Sequence, residues 1–113
     1  MTNQLSIYIN EIKVFVYDKN TRLPGKQRQF LDGMDLDMDT GIKLNNEMID
    51  SPNKMQRANY VVMSLLYGIE TKSEELVSAT CSYLANRLPE LKQINAIEKG
   101  DEVTLNLIFN KAN

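Results

Sequence analysis

The stretch Asp35-Leu36-Asp37-Met38-Asp39-Thr40-Gly41 holds the residues of this chain best suited to chemistry. Read as an extended segment, its period of two puts Asp35, Asp37 and Asp39 on one side and Met34, Leu36 and Met38 on the other. Like charges this close repel, so water, a cation or basic groups must offset them. Carboxylates at such spacing suit a hard cation, Ca²⁺ or Mg²⁺. The three aspartates are therefore the candidate metal ligands, with Asp32 or Glu47 as further donors. An enzyme built on them would use bound Mg²⁺ to position an anionic substrate. The competing reading is a solvated strand edge whose charges discourage pairing between molecules.

The spacing resembles the first three ligand positions of an EF-hand loop. The resemblance breaks at Thr40, where that loop requires glycine, and at Asn46, where it requires a bidentate glutamate. Asp37-Met38-Asp39 also resembles the aspartyl-nucleophile motif of haloacid dehalogenase-like phosphatases. Here Thr40-Gly41 follows in the reverse order, and that motif belongs to a much larger parallel-sheet domain. Neither family is assigned.

Other residues compete for a role. Lys13, Lys19, Arg22, Lys26 and Arg28 precede the acidic stretch, so the two segments can pair within a chain or between copies. Simple solvation is the alternative, since a surface ion pair contributes only ~0–1 kcal/mol. Tyr60, Met63 and Tyr67 recur at helical spacing and form a second apolar stripe, a candidate protein interface. Cys81 lies on an apolar helical stripe, which fits a buried thiol better than a nucleophile. Packing likewise accounts for the methionines better than soft-metal binding does.

Composition narrows the classes. The chain has 113 residues, a formal charge of −2, one cysteine and no histidine. Length predicts a single α+β domain over residues 1–113. One cysteine excludes an internal disulfide, and the lack of histidine excludes zinc sites of mixed Cys and His and any imidazole acid–base step. The mild acidity argues against nucleic acid. Neither a signal peptide nor an apolar run of membrane-spanning length occurs, so the chain reads as cytoplasmic, without membrane contact.

The elements that must position these residues follow from periodicity. Residues 5–9 and 12–16 predict a hairpin turning at Asn10-Glu11. In register it pairs Ile9 with Ile12, Ile7 with Val14 and Leu5 with Val16, all on one face. A connection over 18–33 holds a short helix near 26–32 that ends at Gly33. A small hairpin around Asn45-Asn46 follows. A helix runs from about 54 to 69, capped by Asp50 or Ser51, with Met55, Ala58, Val62, Leu65, Leu66 and Ile69 inward. Thr71-Lys72-Ser73-Glu74 predicts a capping box for a second helix, which buries Val77, Cys81, Leu84 and Leu88 and ends before Pro89. Residues 91–98 and 102–109 predict a C-terminal hairpin, and 111–113 a frayed tail.

The expected architecture is an antiparallel sheet from the N- and C-terminal hairpins, packed against two central helices, in the order ββ, acidic loop and small hairpin, αα, ββ. The expected function is binding rather than catalysis. Its leading form is a protein-interaction module acting as a homodimer, because a helix apolar on two sides exceeds what one sheet face covers. The rival is a divalent-cation- or small-ligand-binding protein centred on Asp35, Asp37 and Asp39.

Overall fold

A computed structural model describes residues 4–19, 25–44 and 47–109. Among them are six strands and three helices: β1 (Gln4–Ile9), β2 (Ile12–Asp18), α1 (Gly25–Asp39), β3 (Ile42–Leu44), β4 (Glu47–Ile49), α2 (Lys54–Thr71), α3 (Glu74–Arg87), β5 (Leu91–Lys99) and β6 (Glu102–Phe109). The fold is mixed α+β. The chain groups into two compact units, one of residues 1–21 with 85–113 and the other of residues 22–84. The turn expected at Asn45-Asn46 and the tail at 111–113 lie outside the described residues.

The first unit is a four-stranded sheet in the order β2-β1-β5-β6. Both terminal hairpins are antiparallel, as their patterns predict. The pair that joins them, β1 with β5, is parallel, so the sheet is mixed. Asn10 and Glu11 both take positive φ, 51° and 70°, as a primed two-residue turn requires. The Asn10 side chain accepts from the Glu98 amide at 2.9 Å, and the Asn10 amide donates to Ala96 at 2.8 Å. The turn thus also holds the parallel seam.

One expected register is overturned. Ile9 does pair with Ile12, but the β1–β2 ladder slips between Ile7 and Tyr8, so that Phe15 faces Ile7 and Tyr17 faces Leu5. A bulge places two residues of one strand opposite one of its partner and inverts the parity beyond it. Phe15 and Tyr17 therefore share the face of the fully buried Leu5 and Ile7. Val14 and Val16, expected on that face, are 38% and 37% exposed. A second irregularity between Leu91 and Gln93 lets Leu91 and Ile94, of opposite parity, both be buried.

The second unit holds α1, the β3–β4 hairpin, α2 and α3 through Leu84. The α2 helix starts at Lys54, as expected, but its cap differs. Asn53, not Asp50 or Ser51, is its N-cap, and Asn53 and Gln56 bond reciprocally at 2.8 Å each. Its inward face is Ala58, Val61, Val62, Leu65 and Leu66, whereas Met55 is 44% exposed. Lys72 in the left-handed region ends it. Ser73 then caps α3 by accepting from the Leu76 amide at 3.4 Å; Glu74 is inside the helix and closes no capping box. Gly68 is where α2 meets α3: a Cβ there would lie 3.2 Å from carbons of both Leu76 and Val77. The expected buried stripe of α3 is correct, with Val77, Cys81, Leu84 and Leu88 all inside.

Candidate functional site

The acidic stretch is helical, not extended. α1 runs through Gly33 to Asp39. Residues 25–39 contain no Val, Ile or Thr, and Leu31, Met34, Asp35 and Met38 fall at i, i+3, i+4 and i+7. Leu31 and Met38 are buried, and Leu36 is 66% exposed. At about 100° per residue, Asp35 and Asp39 stand roughly 40° apart, while Asp37 points roughly 200° away from Asp35. The three carboxylates expected on one side are thus split two and one. Among the described residues no three acidic or thiol side chains are grouped to hold a metal.

Thr40-Gly41, which gave the stretch its motif-like look, ends the helix. The Thr40 hydroxyl donates to Asp37 O at 2.9 Å and the Gly41 amide to Met38 O at 3.0 Å. Gly41 has φ of 120°, and a Cβ there would sit 3.3 Å from Ile49 O of β4.

Carboxylates at a helix C-terminus oppose the helix dipole, and no basic residue lies in the last turn of α1. The compensating charge comes from α2. Arg57 donates from Nη1 to the carboxylate of Asp35 at 3.3 Å and to its carbonyl at 3.1 Å. Its Nη2 meets the Asp39 carboxylate, and its Nε reaches Pro52 O at 3.2 Å. Tyr83 of α3 donates to the same Asp35 oxygen at 2.5 Å. The hydrogen bond that Arg57 donates to Asp39, with the charges of Asp39 and Asp35, pushes the already high Arg57 pKa higher, against a smaller opposing effect of burial. Asp35 lies on the inward stripe of α1, where two donors on two other helices meet it. The cluster fastens α1 to α2 and α3.

The second expected group does converge. Tyr60, Met63 and Tyr67 line one cleft of 310 Å³. Leu44 and Lys43 of β3 and Leu76 of α3 complete its walls, with Ser64 between the aromatic residues. The three α2 side chains are 37%, 39% and 63% exposed, on a helix whose opposite side is buried. Nearby hydroxyls are engaged locally: Ser64 donates to Tyr60 O at 3.3 Å and Thr71 to Tyr67 O at 2.9 Å. The walls are therefore apolar and aromatic, with the Lys43 cation at one side.

Sequence reasoning missed Leu44, Lys43 and Leu76 as members of this cleft, since nothing in the order of residues brings them to α2. It also missed Arg57, whose place one turn into a helix carried no signal. Cys81 is fully buried, and burial raises its pKa to about 12, so it has no thiolate character at neutral pH. Of the basic segment, Lys13 lies over the Tyr8 ring and Lys19 donates to Pro89 O and Leu91 O, both at 2.9 Å. The side chains of Lys26 and Arg28, like all of Arg22, fall outside the described residues. No helix among the described residues is long and apolar enough to cross a membrane.

Compared with protein-family models, curated proteins and solved structures, the chain matches none.

Proposed function

We propose that this protein is a non-catalytic protein-interaction module that acts as a homodimer and receives its partner in the α2 cleft. The observation that carries this is the convergence of Tyr60, Met63 and Tyr67 on one concave surface while they remain well exposed. Tyrosine and methionine supply contact area that adapts to a partner, and tyrosine keeps a polar tip for its rim. Leu44 and Leu76 deepen the apolar floor, and Lys43 adds one positive charge. The complementary ligand is a short apolar peptide segment carrying a carboxylate.

The cation-binding alternative finds less support. Arg57 already neutralises Asp35 and Asp39, and Asp37 points elsewhere.

Selection of a random peptide library on the folded protein tests the reading. Enriched peptides should carry an acidic residue beside apolar ones. Their amide shifts should centre on residues 43–44 and 60–76, and Tyr67→Ala should weaken them about tenfold, the scale of one truncated anchor. Peptides that bind Tyr67→Ala as well as the parent, or shifts placed elsewhere, refute the cleft.

A further inference from the structure

The two edges of the four-stranded sheet are built differently. β2 carries Lys13 and Asp18 and is kinked by the bulge opposite Ile7 and Tyr8. Charges and bulges are the usual means by which an edge strand avoids pairing with another molecule. β6 carries no charge and no proline over Val103–Phe109, and its ladder with β5 is regular from Gln93 to Lys99; the irregularity of this pair lies on β5, between Leu91 and Gln93, opposite Ile108 and Phe109. No described strand lies on its outer side.

We infer that β6 pairs antiparallel with β6 of a second copy, joining two four-stranded sheets into one of eight strands across a two-fold axis at Asn106. The inference rests on the homodimer part of the proposed function and is independent of the cleft.

Symmetry restricts the register. A two-fold axis normal to the sheet keeps each residue on its own face, so opposed positions must be of equal parity. Centring on Asn106 sets Val103 against Phe109, Leu105 against Leu107 and Thr104 against Ile108. All four apolar residues of the half-buried face then meet apolar partners. A centre at Leu105 sets Glu102 against Ile108 and leaves Phe109 without an apolar partner. A centre at Leu107 leaves Val103 without one. The apolar residues of β6 thus complement themselves across the two-fold axis, which suits a second copy of the same strand.

Cysteine substitution reads the register directly. Opposed residues of an antiparallel pair have Cα atoms ~4.5–5.5 Å apart, within disulfide range. Asn106→Cys should give a disulfide-linked dimer under mild oxidation and none in denaturant. Thr104→Cys, whose two copies would be ~13 Å apart at four residues of strand rise, should give none. The native thiol does not compete, being buried. Light scattering of the parent should give twice 12.9 kDa. Asn106→Lys, which sets like charges face to face at an exposed position, should weaken the dimer about fivefold while leaving the circular dichroism spectrum unchanged.

A monomeric parent at millimolar concentration overturns both this inference and the homodimer reading. A dimer that survives Asn106→Lys and resists cross-linking through Asn106→Cys overturns the β6 interface alone. Such a dimer broken instead by Tyr67→Ala would place self-association in the α2 cleft.

Discussion

The same substitution, glycine to alanine, should change stability in opposite directions at two helical positions. Gly33 lies within α1, and a Cβ built on it meets nothing within 4 Å. Alanine there removes the backbone-entropy cost of glycine in a helix and should stabilise by about 0.5–1 kcal/mol. Gly68 lies in α2, and its Cβ would approach three carbons of Leu76 and Val77 at 3.2, 3.2 and 3.3 Å. Comfortable carbon contacts begin at ~3.5 Å, so α3 must give by a few tenths of an ångström. Overpacking of this kind costs about 1–3 kcal/mol, which outweighs the same propensity gain. The predicted difference between Gly33→Ala and Gly68→Ala is therefore about 1–3 kcal/mol. Urea melts followed by far-ultraviolet circular dichroism measure it, and 1 kcal/mol corresponds to roughly 4 °C in Tm for a chain of this size. A Gly33→Ala variant less stable than the parent would refute the helical placement of Gly33. A neutral Gly68→Ala would show that α2 and α3 pack less tightly than the glycine implies. Because Leu76 also lines the cleft, a destabilised Gly68→Ala should weaken cleft-selected peptides as well.

Three further outcomes follow from the acidic cluster and the thiol. Asp37→Lys, at an exposed site in the last turn of α1, should raise stability by about 0.5 kcal/mol in thermal melts by reversing an unfavourable helix-dipole interaction; Ca²⁺-dependent shifts at Asp35, Asp37 and Asp39 in the parent, abolished by this variant, would instead establish a cation site. Arg57→Met should cost about 2 kcal/mol in urea melts, from partly exposed ion pairs and two lost bonds to carbonyls, and an effect below about 0.5 kcal/mol would show that α1 is held by packing alone. Cys81 has its pKa raised by burial from 9.0 to about 12. Its neutral form therefore stabilises the fold fully below pH 9, and that contribution is lost as pH rises towards 12. Parent and Cys81→Ala should converge in stability across that window, and alkylation of the folded parent at pH 8 should be as slow as global unfolding.

Local pattern was legible where neighbours in sequence are neighbours in space. The Asn10-Glu11 turn, the C-terminal hairpin and the inward face of α3 all follow from alternation or helical spacing. The stripe of Tyr60, Met63 and Tyr67 was legible for the same reason. Two kinds of feature were not. The bulge opposite Ile7 and Tyr8 exchanges Val14 and Val16 for Phe15 and Tyr17, and no local signal distinguishes two apolar sets of similar strength. In α1, three aspartates at alternate positions imitate a polar strand face, and acids at a helix end run against the dipole. Arg57, eighteen residues beyond Asp39, offsets that arrangement, with the Tyr83 hydroxyl also on Asp35. The absence of β-branched residues over 25–39 was the available clue.

The parallel seam between β1 and β5 sets an order of events during synthesis. Ser6–Ile9 pair with Gln93–Ala96, so a ribosome must release the chain through Ala96 before the seam can close. Until then the β1–β2 hairpin is alone, and an isolated two-stranded hairpin is marginal in water. Closing a loop of this length costs about 4 kcal/mol of chain entropy. Residues 22–84 form their own compact unit and emerge complete before β5 does. The nascent chain therefore exposes residues 22–84, with α1, the β3–β4 hairpin and α2, between two halves of a sheet that have not yet met. A chain arrested before Leu91 would leave β1, with Leu5 and Ile7, as the surface on which a chaperone acts.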